Sequence, residues 1–549
     1  MTPALMPADD LRPILELLWI WIAAPLTALA AIVYTVRLKA PQVMKLGEAF
    51  RAIRTHDEGA EGSVHPATSA ALSAAATYGA AGAVGSATAV ALGGPGAVAW
   101  VWLFTLLLMP LRMGEAALAR TAPVGRAGDT TGSLAGRLMN DAAGGPRAIG
   151  WAIFVLVPLA AFAFYGGSHG EAVTDAADQL LPGSALTLGL VVAGVGGVFA
   201  VLPLKQSGSI LGWIAAVALI AMFGAGLVAF MSDPGRGFGS ISRAFVDAFD
   251  GAPRMAAWSG ALAGEIAVAA MLHLLPPVAA VGGVDGALHA EAQAGTTKQQ
   301  AAVALLGPLF YGVVVTVVGL SLVATGAFSR PIETSRSLDE VRFYRNGMGP
   351  ETSSQREEAD RAYEGFIRVI EGDTGVVEYD VGTERGIIRA PRYTEGGEPA
   401  DFALHVDDGY ADDLQKPGHL GALERRPIEE LRGVTLHGRM LPADGHLLAA
   451  SMTAGGGSVT SRVALAALLL LAALGLAAWG LGVARTLSAQ LPKNTARWTA
   501  LLPAVGLALA AAGVVPSFGD YGSMVAGLLV SVTAIGLIVR AKDAARIAG

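Results

Sequence analysis

The chain has no cysteine and little charge: among 549 residues there is no Cys, and charged residues make up 15%. The first absence excludes disulfide frameworks, thiolate zinc sites, iron–sulfur clusters and a thiol nucleophile together. The second excludes an ordinary soluble enzyme, whose surface is covered with charge. No nucleophile elbow, P-loop or dinucleotide fingerprint stands on a suitable strand, so no enzymatic activity and no cofactor are expected. What is abundant is apolar and small. Hydrophobic residues reach 53%, with 71 glycines and 28 prolines, and the mean hydropathy is +0.52. That is the profile of a polytopic membrane protein.

The net charge of −7 is unevenly spread. Between Pro331 and Ser461 acids exceed bases by 10, and the rest of the chain carries an excess of 3 bases. An acidic block, residues 329–461, is therefore set into a slightly basic membrane body, and nucleic acid is not an expected partner of either part. Strand-like runs at Gly375–Tyr379, Gly386–Ile388 and Gly433–Met440, with a helix-like polar run from Ser354 to Ile370, predict a small α+β domain there. His405, His419, His437 and His446 share the block with many carboxylates. No pair of them has the i, i+4 spacing of zinc ligands, and no metal ligand is assigned.

Crossing about 30 Å of hydrocarbon takes roughly 17 to 25 apolar residues. Eleven runs qualify: Ile14–Val36, Ala67–Leu92, Gly96–Leu118, Ile149–Tyr165, Ala185–Leu204, Ile210–Phe230, Ala256–Ala280, Ala301–Phe328, Val463–Val483, Trp498–Val515 and Tyr521–Val539. The segment leading into the first run carries Asp9 and Asp10, with Glu16 at the run's start, against Arg12, the wrong charge for a secretory signal. Basic residues follow the first run (Arg37, Lys39, Lys45, Arg51, Arg54) and the third (Arg112, Arg120, Arg126, Arg137, Arg147), whereas Glu171, Asp175 and Asp178 follow the fourth. The positive-inside bias then places the N-terminus outside the plasma (inner) membrane and the C-terminus in the cytoplasm. The acidic block becomes extracytoplasmic, and the sequence names no protein partner for it.

Two runs are interrupted. The second contains Gly79, Gly82 and Gly85; the seventh meets Pro276, Pro277, Gly282 and Gly283. Five runs apart, they fit a secondary transporter built of inverted repeats, with the broken helices at the site. The repeats would be residues 67–255, and 256–328 with 462–549, after an N-terminal segment 1–66 holding the first run and its loop. Glycine used only for close helix packing is the alternative.

Gly93-Gly94-Pro95-Gly96-Ala97-Val98, then Trp100 and Trp102, resembles the GGxGAxFWMW signature of the alanine or glycine:cation symporter family, with Ala99 and Val101 at its Phe and Met. Glu115 stands where that family has an acid after its third span, and His289 and Gln300 keep its spacing beyond the seventh. The resemblance implies an all-α polytopic protein of about eleven transmembrane helices in five-helix inverted repeats, leucine-transporter-like, with the α+β block as an insertion. It implies symport of a small neutral amino acid such as alanine or glycine, by alternating access, in a lipid bilayer.

The resemblance is incomplete at the site. The family's GTGNIAG reads Gly79-Ala80-Ala81-Gly82-Ala83-Val84-Gly85, its SNEAGLGS falls on Pro277 to Val284, and a threonine pair falls on Leu474 and Gly475. Substrate contacts are therefore expected from the backbone at Gly79, Gly82, Gly85, Gly282 and Gly283, with Ser86 and Thr88 the nearest hydroxyls and His169 where the family has a Gln. Sodium loses side-chain ligands by these changes, and a proton carried by Glu265 or His273 is the alternative coupling ion. Those two residues lie eight positions apart, about 80° on a helical wheel. A transport-inactive relative, acting as a sensor or assembly protein through its acidic block, is the second reading.

A tag at Gly397 should be labelled from outside intact cells once any outer membrane is permeabilised, and one at Gly549 should not. Labelling at Gly549 with Gly397 protected would reverse the orientation.

Overall fold

The computed structural model describes residues 8–55, 64–122, 132–139, 147–248, 265–345, 362–374, 379–383, 386–417, 423–440, 444–515 and 517–549. The chain divides into two compact units, Met1–Ala327 with Asp444–Gly549, and Phe328–Ala443.

The first unit is helical. Seven helices are long and apolar enough to cross a membrane, eight if one bent pair counts as a span. In chain order the helices that matter are α1 (Leu11–Arg37), the bent pair α2 (Pro66–Tyr78) and α3 (Ala81–Gly93), α4 (Ala97–Arg120), α5 (Arg147–Leu180), α6 (Ala185–Val201) and α7 (Leu204–Met231). There follow α8 (Glu265–His273), α9 (Leu275–Ala279), α10 (Asp285–Ala290), α11 (Thr297–Thr325), α12 (Gly445–Leu487), α13 (Leu502–Ala511) and α14 (Phe518–Ala548). The expected fifth run is a 17-residue apolar helix. The expected tenth holds the 10 residues of α13 and the last two of a short helix, Lys493–Thr499, and residues 256–264 of the seventh lie outside the described residues.

Three loop assignments are corrected by these helices. Arg112 and Arg120 lie inside α4, and Glu171, Asp175 and Asp178 lie in the last turns of α5, which continues well past Tyr165. A helical segment begins at Asp444, within the stretch expected to belong to the acidic block, and a kink at Gly457 separates it from the helix of the ninth run.

Small residues set the packing distances. A Cβ on Gly166 of α5 would lie 2.5 Å from the Cα of Gly506 in α13, so those backbones touch in a way that no larger residue permits. The GGPG signature is the turn joining α3 to α4, where Gly94 takes φ +68°, ψ −167°, a conformation open to glycine alone. Its tryptophans fasten that turn: Trp100 Nε1 donates to the Ala248 carbonyl (3.2 Å) and Trp102 Nε1 to Thr316 Oγ1 on α11 (2.9 Å).

The second unit has its own apolar core, with Phe343, Leu404, Val406, Leu414, Val434 and Leu436 fully buried. Its described strands are β1 (Ile332–Ser337), β2 (Arg342–Arg345), β3 (Gly365–Val369), β4 (Tyr379–Thr383), β5 (Gly386–Glu395), β6 (Glu398–Pro399), β7 (Phe402–Asp407), β8 (Tyr410–Pro417), β9 (Leu423–Arg426) and β10 (Val434–Met440). One sheet runs β1-β10-β5-β4-β2 with β6 on β5, and the other runs β3-β7-β8-β9. All pairs are antiparallel, and the alternating burial of β7 puts Phe402, Leu404 and Val406 on the core face. The expected strands at Gly386–Ile388 and Gly433–Met440 correspond to β5 and β10. The expected helix over Ser354–Ile370 is corrected at its end, where Gly365–Val369 is strand, and residues 354–361 lie outside the described ones. The first and last strands pair, Ile332 opposite Met440, so the unit's two ends lie side by side.

Candidate functional site

The first break interrupts the second span at Gly79. Its φ of +45° is costly for any residue with a Cβ, and α2 and α3 diverge by 41° there. In an unbroken helix the amides of Ala80 and Ala81 would bond the carbonyls of Ala76 and Thr77. Here both amides donate to one atom, Nδ1 of His169, at 3.1 and 3.3 Å. The abandoned Ala76 carbonyl receives Trp479 Nε1 from α12 at 3.2 Å. A nitrogen that accepts cannot carry the proton, so the imidazole is neutral with its hydrogen on Nε2, a buried atom with no partner.

Local structure aims that ring. Residues Ala161–Ser168 of α5 form a wider π-type turn, which rotates the helix just before His169. Tyr165 on that turn stacks on the imidazole (centroids 4.0 Å apart) and donates its hydroxyl to the Ala472 carbonyl at 2.7 Å. A Cβ on Gly79 would run into the His169 ring, and one on Gly475 into the Tyr165 hydroxyl. At Gly475, one of the two positions expected to match the family's threonine pair, the Tyr165 hydroxyl fills the space that a side chain would take.

The second break lies between α8 and α10, in the run expected to be the seventh span. Pro276 and Pro277 offer no N–H, so the carbonyls of Leu272 and His273 lose their helical donors. Tyr311 on α11 donates to the neighbouring Leu274 carbonyl at 2.8 Å. Between α9 and α10, Arg112 Nη2 donates to the carbonyls of Val278 (2.6 Å) and Ala279 (3.0 Å). One turn along α4, Glu115 Oε1 accepts the amides of Gly283 (2.8 Å) and Gly286 (3.0 Å). The two side chains pair at 3.0 Å. A guanidinium thus covers the carbonyl end of one half-helix and a carboxylate the amide end of the next, each matching the helix dipole. Gly283, at φ +93°, makes the turn between them.

Asp285 continues the cluster. Its Oδ1 accepts from Ser73 of α2 at 2.5 Å, its Oδ2 lies 3.9 Å from Arg112 Nε, and His289 Nε2 lies 3.5 Å from Oδ1. Arg112, Glu115 and Asp285 are the charged side chains buried in this unit, among the described residues. Gln300, expected from its spacing to His289, is fully buried beyond them.

The other expected site residues fall as follows. Gly82 and Gly85 lie past the break, inside α3. A Cβ on Gly82 would stand 3.2 Å from the Tyr311 ring, and one on Gly85 2.5 Å from the His273 carbonyl, so the two broken spans meet there. Ser86 and Thr88 donate to their own helix, at Ala83 (2.6 Å) and Val84 (3.0 Å). Gly282 packs beside Arg112, where a Cβ would be 2.8 Å from Nη1. His273 closes α8 and is partly buried; the Glu265 side chain lies outside the described residues. Glu291 pairs with Arg485 at 2.6 Å. Among the described residues no group of three or more His, Cys, Asp or Glu is arranged to hold a metal ion. In the second unit His405 lies 3.5 Å from Asp412, and His437 bridges Ser335 and Thr394. The Ser337 hydroxyl, with Arg432, holds the Asp339 carboxyl below its usual range against the opposing effect of burial.

Sequence reasoning missed Arg112, Ser73, Tyr165 and Asp285. For the charged ones a signal existed: Arg112–Glu115 at i, i+3 and Asp285–His289 at i, i+4 are ionisable pairs inside or beside apolar runs.

The sequence profile of the sodium:alanine symporter family matches residues 8–351. The probable sodium/glutamine symporter GlnT of Bacillus subtilis is 31% identical over 187 residues, which are 33% of this chain and 38% of that protein. An uncharacterized transporter of Haemophilus influenzae is 38% identical over 104 residues, 18% of this chain and 23% of its own length. Each alignment thus spans well under two thirds of the relative.

Arg112→Met should be strongly destabilising, because Glu115 and Asp285 keep their charge with no cation beside them. Removing one partner of a buried pair costs about 3–5 kcal/mol. Thermal unfolding of the purified protein in detergent should show a large drop, and a midpoint equal to wild type would contradict the clamp.

Proposed function

We propose that this chain, which belongs to the sodium:alanine symporter family, is a cation-coupled symporter of a small neutral amino acid such as alanine or glycine. It is a multi-pass membrane protein; on this reading it has eleven spans in two inverted repeats, its N-terminus outside the plasma membrane, and it works by alternating access between the broken second and seventh spans.

The observation that carries the reading is the pair of amides at Ala80 and Ala81, turned away from their own helix onto a neutral side-chain acceptor. A carboxylate is a stronger acceptor than an imidazole nitrogen for the same donors. The amide pair at a helix start favours it further. On binding, the substrate carboxylate replaces His169 at the amides, and the imidazole, which keeps its Nε2 hydrogen, swings aside on the π-type turn. Tyr78, Tyr165, Tyr311 and Trp479, all buried, surround the break. The name of the Bacillus subtilis relative makes glutamine a further substrate to test.

The second reading, a transport-inactive relative that senses or assembles through its acidic block, draws support from the same contact, since the amides already have an acceptor. The two readings separate on uptake into proteoliposomes of alanine, glycine and glutamine, with and without sodium and proton gradients. Saturable uptake of one of them is the expected result. Gly82→Leu should insert normally and abolish binding, because the added side chain displaces Tyr311 and with it the support of the Leu274 carbonyl. No uptake by wild type, or normal uptake by Gly82→Leu, would overturn the assigned site or the activity itself.

A further inference from the structure

We infer that Asp285 and His289 form the binding site of a coupling proton, placed between the two broken spans. The inference rests on the symport reading above and names the ion for it.

The surrounding bonds dictate where the hydrogens of this cluster lie. Ser69 Oγ donates to the Pro66 carbonyl at 2.9 Å, so its one hydrogen is used. The contact of Ser69 Oγ with His289 Nδ1 at 3.4 Å then requires the hydrogen to come from the imidazole. A neutral His289 with its hydrogen on Nδ1 has a bare lone pair on Nε2. That lone pair faces Asp285 Oδ1, 3.5 Å away, and both Nε2 and Asp285 Oδ2 lack a hydrogen-bond partner. Two acceptors facing each other in a buried site lack one hydrogen between them. Ser73 does not supply it, because its hydroxyl donates to Oδ1 from another direction, at 2.5 Å.

Charge counting gives the same answer. The fully buried cluster holds one cation, Arg112, and two carboxylates, Glu115 and Asp285, which leaves a charge of −1 while His289 is neutral. Isolated charge in a medium of low dielectric is strongly disfavoured, and one added proton makes the cluster neutral. Among the described residues, the other charged groups on the elements packed here are engaged elsewhere or exposed; Arg540 of α14 pairs with Asp543 at 3.1 Å. From α2 come only the two serines; Arg485 of α12 is engaged with Glu291 at 2.6 Å; Arg120 of α4 donates to the carbonyls of Ala290 and Ala292; Lys298 at the start of α11 is exposed. Sodium fits the site poorly, since Asp285 has a guanidinium nitrogen at 3.9 Å and an imidazole at 3.5 Å where a metal would need oxygens.

The location converts protonation into movement. Asp285 is the first residue of α10, immediately after the turn that Glu115 holds, while Ser69 and Ser73 belong to α2, immediately before the first break. A proton arriving from water bonds to Nε2 and is shared with Oδ1, and its departure returns the charge of −1. The strength with which α10 grips α2 therefore changes with each proton bound or released, and no other group is consumed.

The test uses the full chain in proteoliposomes with L-alanine as probe. An inward proton gradient without sodium should drive accumulation by wild type and by Glu265→Gln. Asp285→Asn, which keeps the shape and the Ser73 contact, should lose accumulation yet retain exchange of internal for external alanine; His289→Gln should behave alike. In parallel, infrared spectra of the detergent-purified protein, recorded as pH is varied, should contain a carboxylate–imidazole titration that Asp285→Asn removes. Accumulation by wild type driven only by sodium, accumulation retained in Asp285→Asn, or an infrared titration identical in the two proteins would overturn the assignment. If wild type carries no amino acid under any gradient, the symport reading fails, and the infrared titration then decides the proton site by itself.

Discussion

A helix cannot be interrupted in hydrocarbon without leaving amides and carbonyls that have no water to turn to, and each such group costs several kcal/mol unless the protein supplies a partner. This chain interrupts two. The rest of the first unit can be read as the set of side chains that those interruptions require: His169 and Trp479 for the amides and carbonyl exposed at Gly79, and Tyr311, Arg112 and Glu115 for those exposed around Pro277 and Gly283. The buried charge follows from the same need. Arg112 Nη2 alone donates to two carbonyls and Glu115 Oε1 alone accepts from two amides, charge-assisted bonds that neutral side chains would make more weakly.

The two breaks receive different chemistry. The first break is held by a neutral imidazole, the acceptor that a substrate carboxylate displaces on the proposed function, and by the Trp479 N–H at the Ala76 carbonyl. The seventh-span break is held by a paired Arg and Glu whose separation is expensive, so it acts as the fixed side. Asp285 sits at the joint between them, bonded to Ser73 on one side and near Arg112 on the other. On the proposed function, the first break is the side that opens and the second the side that stays clamped, which is the asymmetry that alternating access needs.

Much of this was legible in the sequence, for identifiable reasons. The second-span break could be read because Gly79, Gly82 and Gly85 interrupt an alanine-rich run, and the seventh because adjacent prolines remove two donors. Gly79 and Gly283 do make the turns, whereas Gly82 and Gly85 are spacing residues against Tyr311 and His273. His169 was found only through the resemblance, since nothing in its local pattern shows that it reaches Ala80, 89 positions earlier. Arg112 was misplaced because a basic residue near a helix end reads as a loop anchor, and only the fold reveals that the helix continues past it to Arg120. In the acidic unit, alternation exposed β5 and β10, while the expected helix ended in β3, where pairing with β7 outweighs the polar composition of the segment.

Side chains, not water, hold the backbone at both breaks. Hydrogen–deuterium exchange of the reconstituted protein measures this directly at residues 79–83 and 280–286. The prediction is exchange in both segments as slow as in the flanking helices, raised by His169→Ala at the first segment alone and by Glu115→Ala at the second. Rapid exchange at the breaks in wild type, or segments indifferent to both substitutions, would contradict it.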